Sequence, residues 1–222
     1  MDDLSEDDRR RLEGAVVEAY EAEAATWDRA RSRSLYERPW LDRFEALLVP
    51  GGEILDVGCG TGEPIAAHFV ARGFAVVGVD AAEAMLRIAR ERVPAASFRR
   101  ADMRTMELGR RFDGAVAWDS FFHLTQEDQA TALAAFARHL RPGAPLLFTS
   151  GPTRSEAVGR VGAHRIYHAS HAPEAYRTLL ARAGFGIVGH VAEDPDCARR
   201  TVWLARRQGW IRSRARPSRS GR

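Results

Sequence analysis

The run from Glu53 to Pro64, Glu-Ile-Leu-Asp-Val-Gly-Cys-Gly-Thr-Gly-Glu-Pro, constrains the fold more than any other stretch of the chain. A short apolar strand ends in Gly58, Gly60 and Gly62 and then turns into a helix. Glycines so placed let the backbone pass within contact distance of a ligand, where a Cβ would collide, and they supply positive φ without strain. The dinucleotide fingerprint is G-x-G-x-x-G, whereas here the third glycine comes one residue early and Glu63 holds its place. A pyrophosphate would need free N–H groups at the start of the helix, but that start carries the Glu63 carboxylate and Pro64, which has no N–H. The loop suits a ligand with a nucleoside, an ammonium and no phosphate.

Phe74-Ala-Val-Val-Gly-Val-Asp80 reads as a buried strand, and Asp80 stands 22 positions beyond Gly58. At that separation this architecture puts a carboxylate on ribose hydroxyls. With this acid the glycine loop resembles motif I of the class I S-adenosylmethionine (SAM) dependent methyltransferases, and the resemblance covers the chain except its Arg-rich end. It implies SAM as cofactor, with Asp56, Gly58, Cys59, Gly60, Gly62, Asp80, Ala81 and Trp118 around it. In Ser97-Phe-Arg-Arg-Ala-Asp102-Met103 it implies Asp102 near the adenine amine and Met103 against the ring. Read without the resemblance, Asp102 is a loop cap or a surface carboxylate, and Cys59 a small packing residue.

At 222 residues and 45% hydrophobic content the chain can bury one full core. No apolar run is long enough to span a bilayer, and the acidic start lacks the basic and apolar parts of a signal peptide, so the expectation is a cytoplasmic protein without membrane contact. Two cysteines, Cys59 and Cys197, make neither a disulfide framework nor a zinc ligand set. Every basic residue is Arg, and seven lie from Arg206 onward with no acid among them. The body is therefore net negative, which argues against nucleic acid as a partner. The end, 207–222, reads as a disordered tail that could still touch RNA or an acidic partner.

The fold expected is a Rossmann-like, doubly wound seven-stranded α/β sheet with the last strand antiparallel, plus an N-terminal helical lid. Strands are expected near 53–57, 74–80, 96–101, 112–118, 144–150, 185–192 and 200–206, with helices near 63–72, 82–92, 125–140 and 172–184. The connection between the last two strands is too short for a parallel crossover, so they should run antiparallel. The chain divides into a lid over 1–50, a SAM-binding domain over 51–206 and the tail. Before the loop, helices are expected near 4–31 and 36–48, the second with Trp40, Leu41, Phe44, Leu47 and Leu48 as a core face. In the first, Tyr20 and Trp27 resemble the aromatic groups that cover the methionine part of the cofactor, where a sulfonium gains from an aromatic face. Seven apart, they equally form a packing stripe.

The fourth strand exits through Trp118-Asp119-Ser120-Phe121-Phe122-His123, where the family brings methyl and acceptor together. This text departs from the Asn/Asp-Pro-Pro-Tyr motif of nucleic-acid and protein-glutamine enzymes. The stretch after the fifth strand lacks the Asp-Asn pair of catechol-type enzymes, which argues against a catalytic Mg²⁺. An insertion from Thr153 to Ser170, with Tyr167 and His168, is placed to close over an acceptor. If the acceptor must lose a proton, His123 or His168 is the expected base, with Asp119 or Tyr167 orienting the substrate. The resulting expectation is methyl transfer to a small-molecule acceptor, with the acceptor atom and the oligomeric state open. An RNA methyltransferase tethered by the tail and a non-catalytic SAM-binding regulator are the alternatives.

Overall fold

The computed structural model describes residues 5–209. Helix α1 (Glu6–Ala30) begins at Ser5, whose hydroxyl accepts the Asp8 N–H and so satisfies a donor the helix cannot. Helix α2 (Arg38–Glu45) follows, burying Trp40, Leu41 and Phe44. Strand and helix then alternate: β1 (Glu53–Val57), α3 (Ile65–Ala71), β2 (Ala75–Asp80), α4 (Glu83–Arg92), β3 (Ser97–Arg100), β4 (Gly114–Ala117), α5 (Gln126–His139) and β5 (Pro145–Ser150). After β5 come β6 (Ser155–Val161), β7 (His164–Ser170), α6 (Pro173–Arg182), β8 (Phe185–Asp194) and β9 (Arg200–Arg207).

Seven strands form one sheet in the order β3-β2-β1-β4-β5-β9-β8. The first five are parallel, and β9 runs antiparallel to both β5 and β8. Successive residues of a strand face opposite sides, so Leu55 and Val57 enter one core with Phe136, Phe148 and Tyr176. Ile54 enters the other, with Trp40, Phe44 and Phe69. Both faces being covered, the parallel strands are nearly continuous apolar runs, and every residue of β4 and β5 is buried. The strand order reverses between β1 and β4, and an open sheet of this kind binds ligands in the crevice at that point.

Two features differ from the sequence expectation. The insertion is a hairpin: β6 and β7 pair from Ser155↔Ser170 to Val161↔His164 as a separate two-stranded sheet. Its Val161, Ile166, Tyr167 and Ala169 pack against Leu12, Val16 and Ala19 of α1, so helix and hairpin form one cap. The cap's apolar contacts lie between segments far apart in sequence, which is why no local pattern announced them. In addition, Arg207 is the last residue of β9 rather than the first of a tail. The Arg-rich stretch expected to be disordered, from 210 on, lies outside the described residues.

Candidate active site

The cavity lies at the β1/β4 crevice, roofed by α1, and holds about 1130 Å³ of space counted out to open solvent. At its floor the chain leaves β1 through Gly58 at φ +68°, where an added Cβ would fall 2.3 Å from the Ser120 Cβ. The N–H groups of Gly58 and Cys59 both donate to the Val79 carbonyl, at 2.8 and 3.1 Å, and the Ser120 hydroxyl donates to the Val57 carbonyl at 2.7 Å. Gly60, at φ +54°, approaches the Trp27 ring, which an added Cβ would meet at 3.3 Å. Gly62 faces elsewhere. A Cβ there would meet Phe98 and Val93, each at 3.2 Å, so this glycine seats α4 and β3 rather than lining the cavity.

Two carboxylates stand beside the loop. Asp80 accepts the Gly60 N–H at 3.0 Å and the Ala82 N–H at 2.9 Å, tying β2 to the glycine loop. Burial pushes its carboxyl up against the pull of those N–H groups. Asp56, 3% exposed at the end of β1, lines the cavity. Among the described residues no hydrogen-bond donor reaches its side chain. Burial, and then Asp80, push its carboxyl up to about 7, against Arg31.

Farther along the same wall, Asp102 accepts both Nε and Nη2 of Arg104, at 3.0 and 2.6 Å to one oxygen, and the Arg104 N–H at 2.9 Å. Burial raises the Asp102 carboxyl, but the Arg104 hydrogen bonds outweigh it and hold the group below its ordinary value. Arg104 also reaches Glu13 of α1 at 3.1 Å and Asp128 of α5 at 2.8 Å, so the loop, roof and α5 share one cation. Ala81 and Met103 complete this end.

At the other end stand Trp118, Asp119, His123, Tyr20, Trp27 and Arg31. Trp118 is 4% exposed, and its indole Nε1 has no partner among the described residues. Asp119 sits at φ +48°, clamped by Arg200 Nε at 2.9 and 3.0 Å and by the Tyr36 hydroxyl at 3.3 Å. The Arg31 guanidinium donates to Glu37 at 2.9 Å and to the Tyr36 hydroxyl at 3.1 Å and lies 5.7 Å from the Trp27 ring centroid, while its Nε is unpartnered. Arg31 belongs to no motif in the sequence, and its one signal is its place one helical turn beyond Trp27 on the same face.

His123 donates from Nδ1 to the Tyr167 carbonyl at 3.2 Å, which leaves Nε2 to accept the Tyr20 hydroxyl at 2.9 Å. Burial, then His168, lower its basicity to about 3. His168 lies 4.8 Å from His123, ring to ring, but does not line the cavity, and burial lowers its basicity as well. The Tyr167 side chain points away: its hydroxyl donates to Glu156 at 2.9 Å, and only its carbonyl serves His123. Of the four groups expected at the acceptor, the fold brings His123 and Asp119 to the cavity and leaves His168 and Tyr167 behind them. One further group, Asp42, Glu45 and His68, brings potential metal-ligand atoms within 4.8 Å, but these side chains do not line the cavity, and Arg72 occupies Glu45.

Among the described residues no helix is long and apolar enough to cross a membrane. Residues 54–143 match a family model described as a methyltransferase domain. A Streptomyces venezuelae protein named dTDP-3-amino-3,4,6-trideoxy-alpha-D-glucopyranose N,N-dimethyltransferase is 37% identical over 120 residues, 49% of this chain and 50% of that one. A Streptomyces fradiae dTDP-3-amino-3,6-dideoxy-alpha-D-glucopyranose N,N-dimethyltransferase is 35% identical over 155 residues, 62% of this chain and 60% of its own length. The chain thus spans between half and three-fifths of these curated relatives. Among solved structures, SAM-bound CalS10, an amino pentose methyltransferase from Micromonospora echinaspora, superposes with a TM-score of 0.66 at 24% identity, covering 84% of this chain and 96% of CalS10. The CcbJ methyltransferase from Streptomyces caelestis gives 0.70 at 17%, covering 86% and 98%. With the glycine loop, the Asp80 tie and this sheet order, residues 54–143 match a methyltransferase domain, and the fold is similar to that of class I, SAM-dependent methyltransferases.

Proposed function

We propose that this protein transfers a methyl group from SAM to a small-molecule amine. The observation that carries the donor reading is the pair Asp56 and Asp80: the cavity's other acids have arginine partners, and these two do not. A ligand bearing a sulfonium and an ammonium supplies the missing positive charge, so the residues present fit SAM. In the proposed arrangement Asp80 holds the ribose hydroxyls, Asp102 and Met103 the adenine, and Gly58 and Gly60 leave room for the chain between. Trp27 and Tyr20 cover the methionine part and exclude water. The unpartnered N–H groups of Arg31 and Trp118 suit the donor's carboxylate.

SAM supplies a methyl group already activated as a sulfonium substituent, so the protein's task is orientation and dehydration, worth on the order of 7–11 kcal/mol. His123 bears on the acceptor. Held neutral, with its basicity lowered to about 3 and its Nε2 occupied by Tyr20, it is a poor base for a hydroxyl. An amine attacks unprotonated and sheds its proton afterwards, so Tyr20 and His123 need only position it. Two relatives are named as amino-sugar N,N-dimethyltransferases, which agrees with an amine acceptor. The test is calorimetry with SAM, S-adenosylhomocysteine and NAD, followed by turnover on amino sugars and their hydroxyl counterparts. Tighter binding of NAD than of SAM refutes the donor reading, and faster methylation of the hydroxyl compounds refutes the acceptor.

A further inference from the structure

Resting on that donor reading, a finer division of labour follows for the two acids. Asp80 is answered by two backbone N–H groups of its own chain, whereas Asp56, more deeply buried, receives none. A buried carboxylate without a donor or a counter-charge is costly. The cation whose charge opposes this burial, Arg31, points its terminal nitrogens at Glu37, Tyr36 and Asp119. Asp56 can therefore be satisfied in only two ways, by a proton or by a cationic ligand.

We infer that Asp56 distinguishes the cationic methyl donor from the neutral product, meeting the donor as a carboxylate and the product as a carboxylic acid, and exchanging a proton with solvent in each cycle. Donor binding expels the proton from the carboxyl to water. Methyl transfer converts the sulfonium to a neutral thioether, the ligand's net charge falls by one, and the carboxylate recovers a proton from solvent. The site then loses its electrostatic grip on the product. Asp56 is thus a specificity-determining residue, acting through charge rather than shape.

The groups facing Asp56 from the surrounding elements agree with this cycle. Asp80 from β2 raises its carboxyl, Arg31 from the end of α1 opposes, and burial dominates, placing it at about 7. Cys59, in the loop after β1, stays a neutral thiol, its ionisation pushed up by burial and by both acids. From α1, Glu21 adds negative charge next to Asp80. From the loop before α3, Glu63 is paired to Arg33, and beyond β4 Asp119 is paired to Arg200. None of these supplies Asp56 with a free positive charge.

The experiment is isothermal calorimetry of the full chain with SAM and with S-adenosylhomocysteine, in two buffers of unlike ionisation enthalpy, at pH 6, 7 and 8. For SAM we expect release of about half a proton at pH 7 and an affinity about tenfold weaker at pH 6 than at pH 8, as linkage to a group near 7 requires. For S-adenosylhomocysteine, met as the carboxylic acid, the affinity should run the other way, about tenfold weaker at pH 8 than at pH 6. Asp56→Asn, which copies the protonated form and so keeps the fold, should lose the pH dependence for both ligands and bind the product as the parent does at pH 6. Equal heats for SAM in both buffers at pH 7 overturn the inference without any variant, and so does an Asp56→Asn protein that keeps the parent's pH slope. If neither ligand binds at any pH, the donor reading itself fails and takes the inference with it.

Discussion

The donor half and the cap half of the cavity are built from different contacts. At the donor half the ties are short in sequence and use the backbone: Gly60 N–H to Asp80 spans 20 residues, and Ala82 N–H to Asp80 spans 2. At the cap half they are long: Tyr20 to His123 spans 103 residues and Arg9 to Glu156 spans 147, side chain to side chain, while Glu23 accepts the Ala163 N–H across 140. Backbone ties survive any change of side chain except at the few glycines and acids that make them. Side-chain ties can be rewritten one at a time. The donor site is therefore the rigid half, and the cap is where acceptor choice can change without disturbing the fold.

The largest damage is therefore expected from changes in the donor half. Gly58→Ala places a methyl group 2.3 Å from the Ser120 Cβ in a left-handed conformation, and should cost about 3 kcal/mol or more. A fall in melting temperature of roughly 10 °C is then expected by scanning calorimetry, with loss of SAM binding. A Gly58→Ala protein that melts with the parent breaks the comparison. Next is Asp80→Ala, which removes a charged acceptor from two loop N–H groups. We expect SAM affinity to fall by about ten- to a hundredfold, equivalent to roughly 1.5–3 kcal/mol.

Changes in the cap should be milder and should separate binding from turnover. Tyr20→Phe removes the hydroxyl that His123 accepts, costing about 0.5–1.5 kcal/mol of stability. SAM affinity measured by calorimetry should stay within a few-fold of the parent while turnover falls. A matching fall in affinity would show that the hydroxyl, and not the ring alone, serves the donor.

His123 offers a pH test. Its basicity drops from the ordinary 6.5 to about 3 in the fold, so the unfolded chain takes the proton first. This group's contribution is fully present above 6.5 and is lost as the pH falls towards 3, by at most about 1.4 kcal/mol per unit. Asp56 works in the opposite direction over much of that range, since its carboxyl is raised to about 7 and folding favours its protonated form. The bare slope is thus uninformative. The measurement is the difference in stability between parent and His123→Asn across pH 4–6.5, which should narrow as the pH falls. The smallest effect should come from removing residues 210–222, which carry arginines and no apolar repeat. Melting temperature and SAM affinity should not move, and a loss of RNA binding that is steep in salt would reopen the tether reading.

Legibility followed the same divide. Asp80 could be found because a parallel β-α-β unit fixes the distance from the glycine loop to the next strand end, and β9 because a short connection forbids a parallel crossover. Gly62 was harder, since one residue type serves both close approach to a ligand and close packing of a helix, and here it packs on Phe98 and Val93. The reach of Arg104 to Glu13 and Asp128 has no local signature. Tyr167 and His168 were singled out for their chemistry, but only the folded hairpin decides that the Tyr167 hydroxyl turns to Glu156. Arg31 was within reach through its helical spacing from Trp27.

Glu23 sits on Gly162, where any Cβ would overlap its carboxylate, and accepts the Ala163 N–H. The timing of synthesis follows from this contact. The helix carrying Glu23 is made 140 residues before the turn it docks on, an interval on the order of ten seconds at ribosomal speed. Throughout that interval its apolar stripe, Leu12, Val16 and Ala19, has no hairpin to cover. Closing so long a loop is slow compared with forming the β1–β2 unit, so a nascent chain can build the glycine loop and its Asp80 tie before the hairpin gives the cavity its cap.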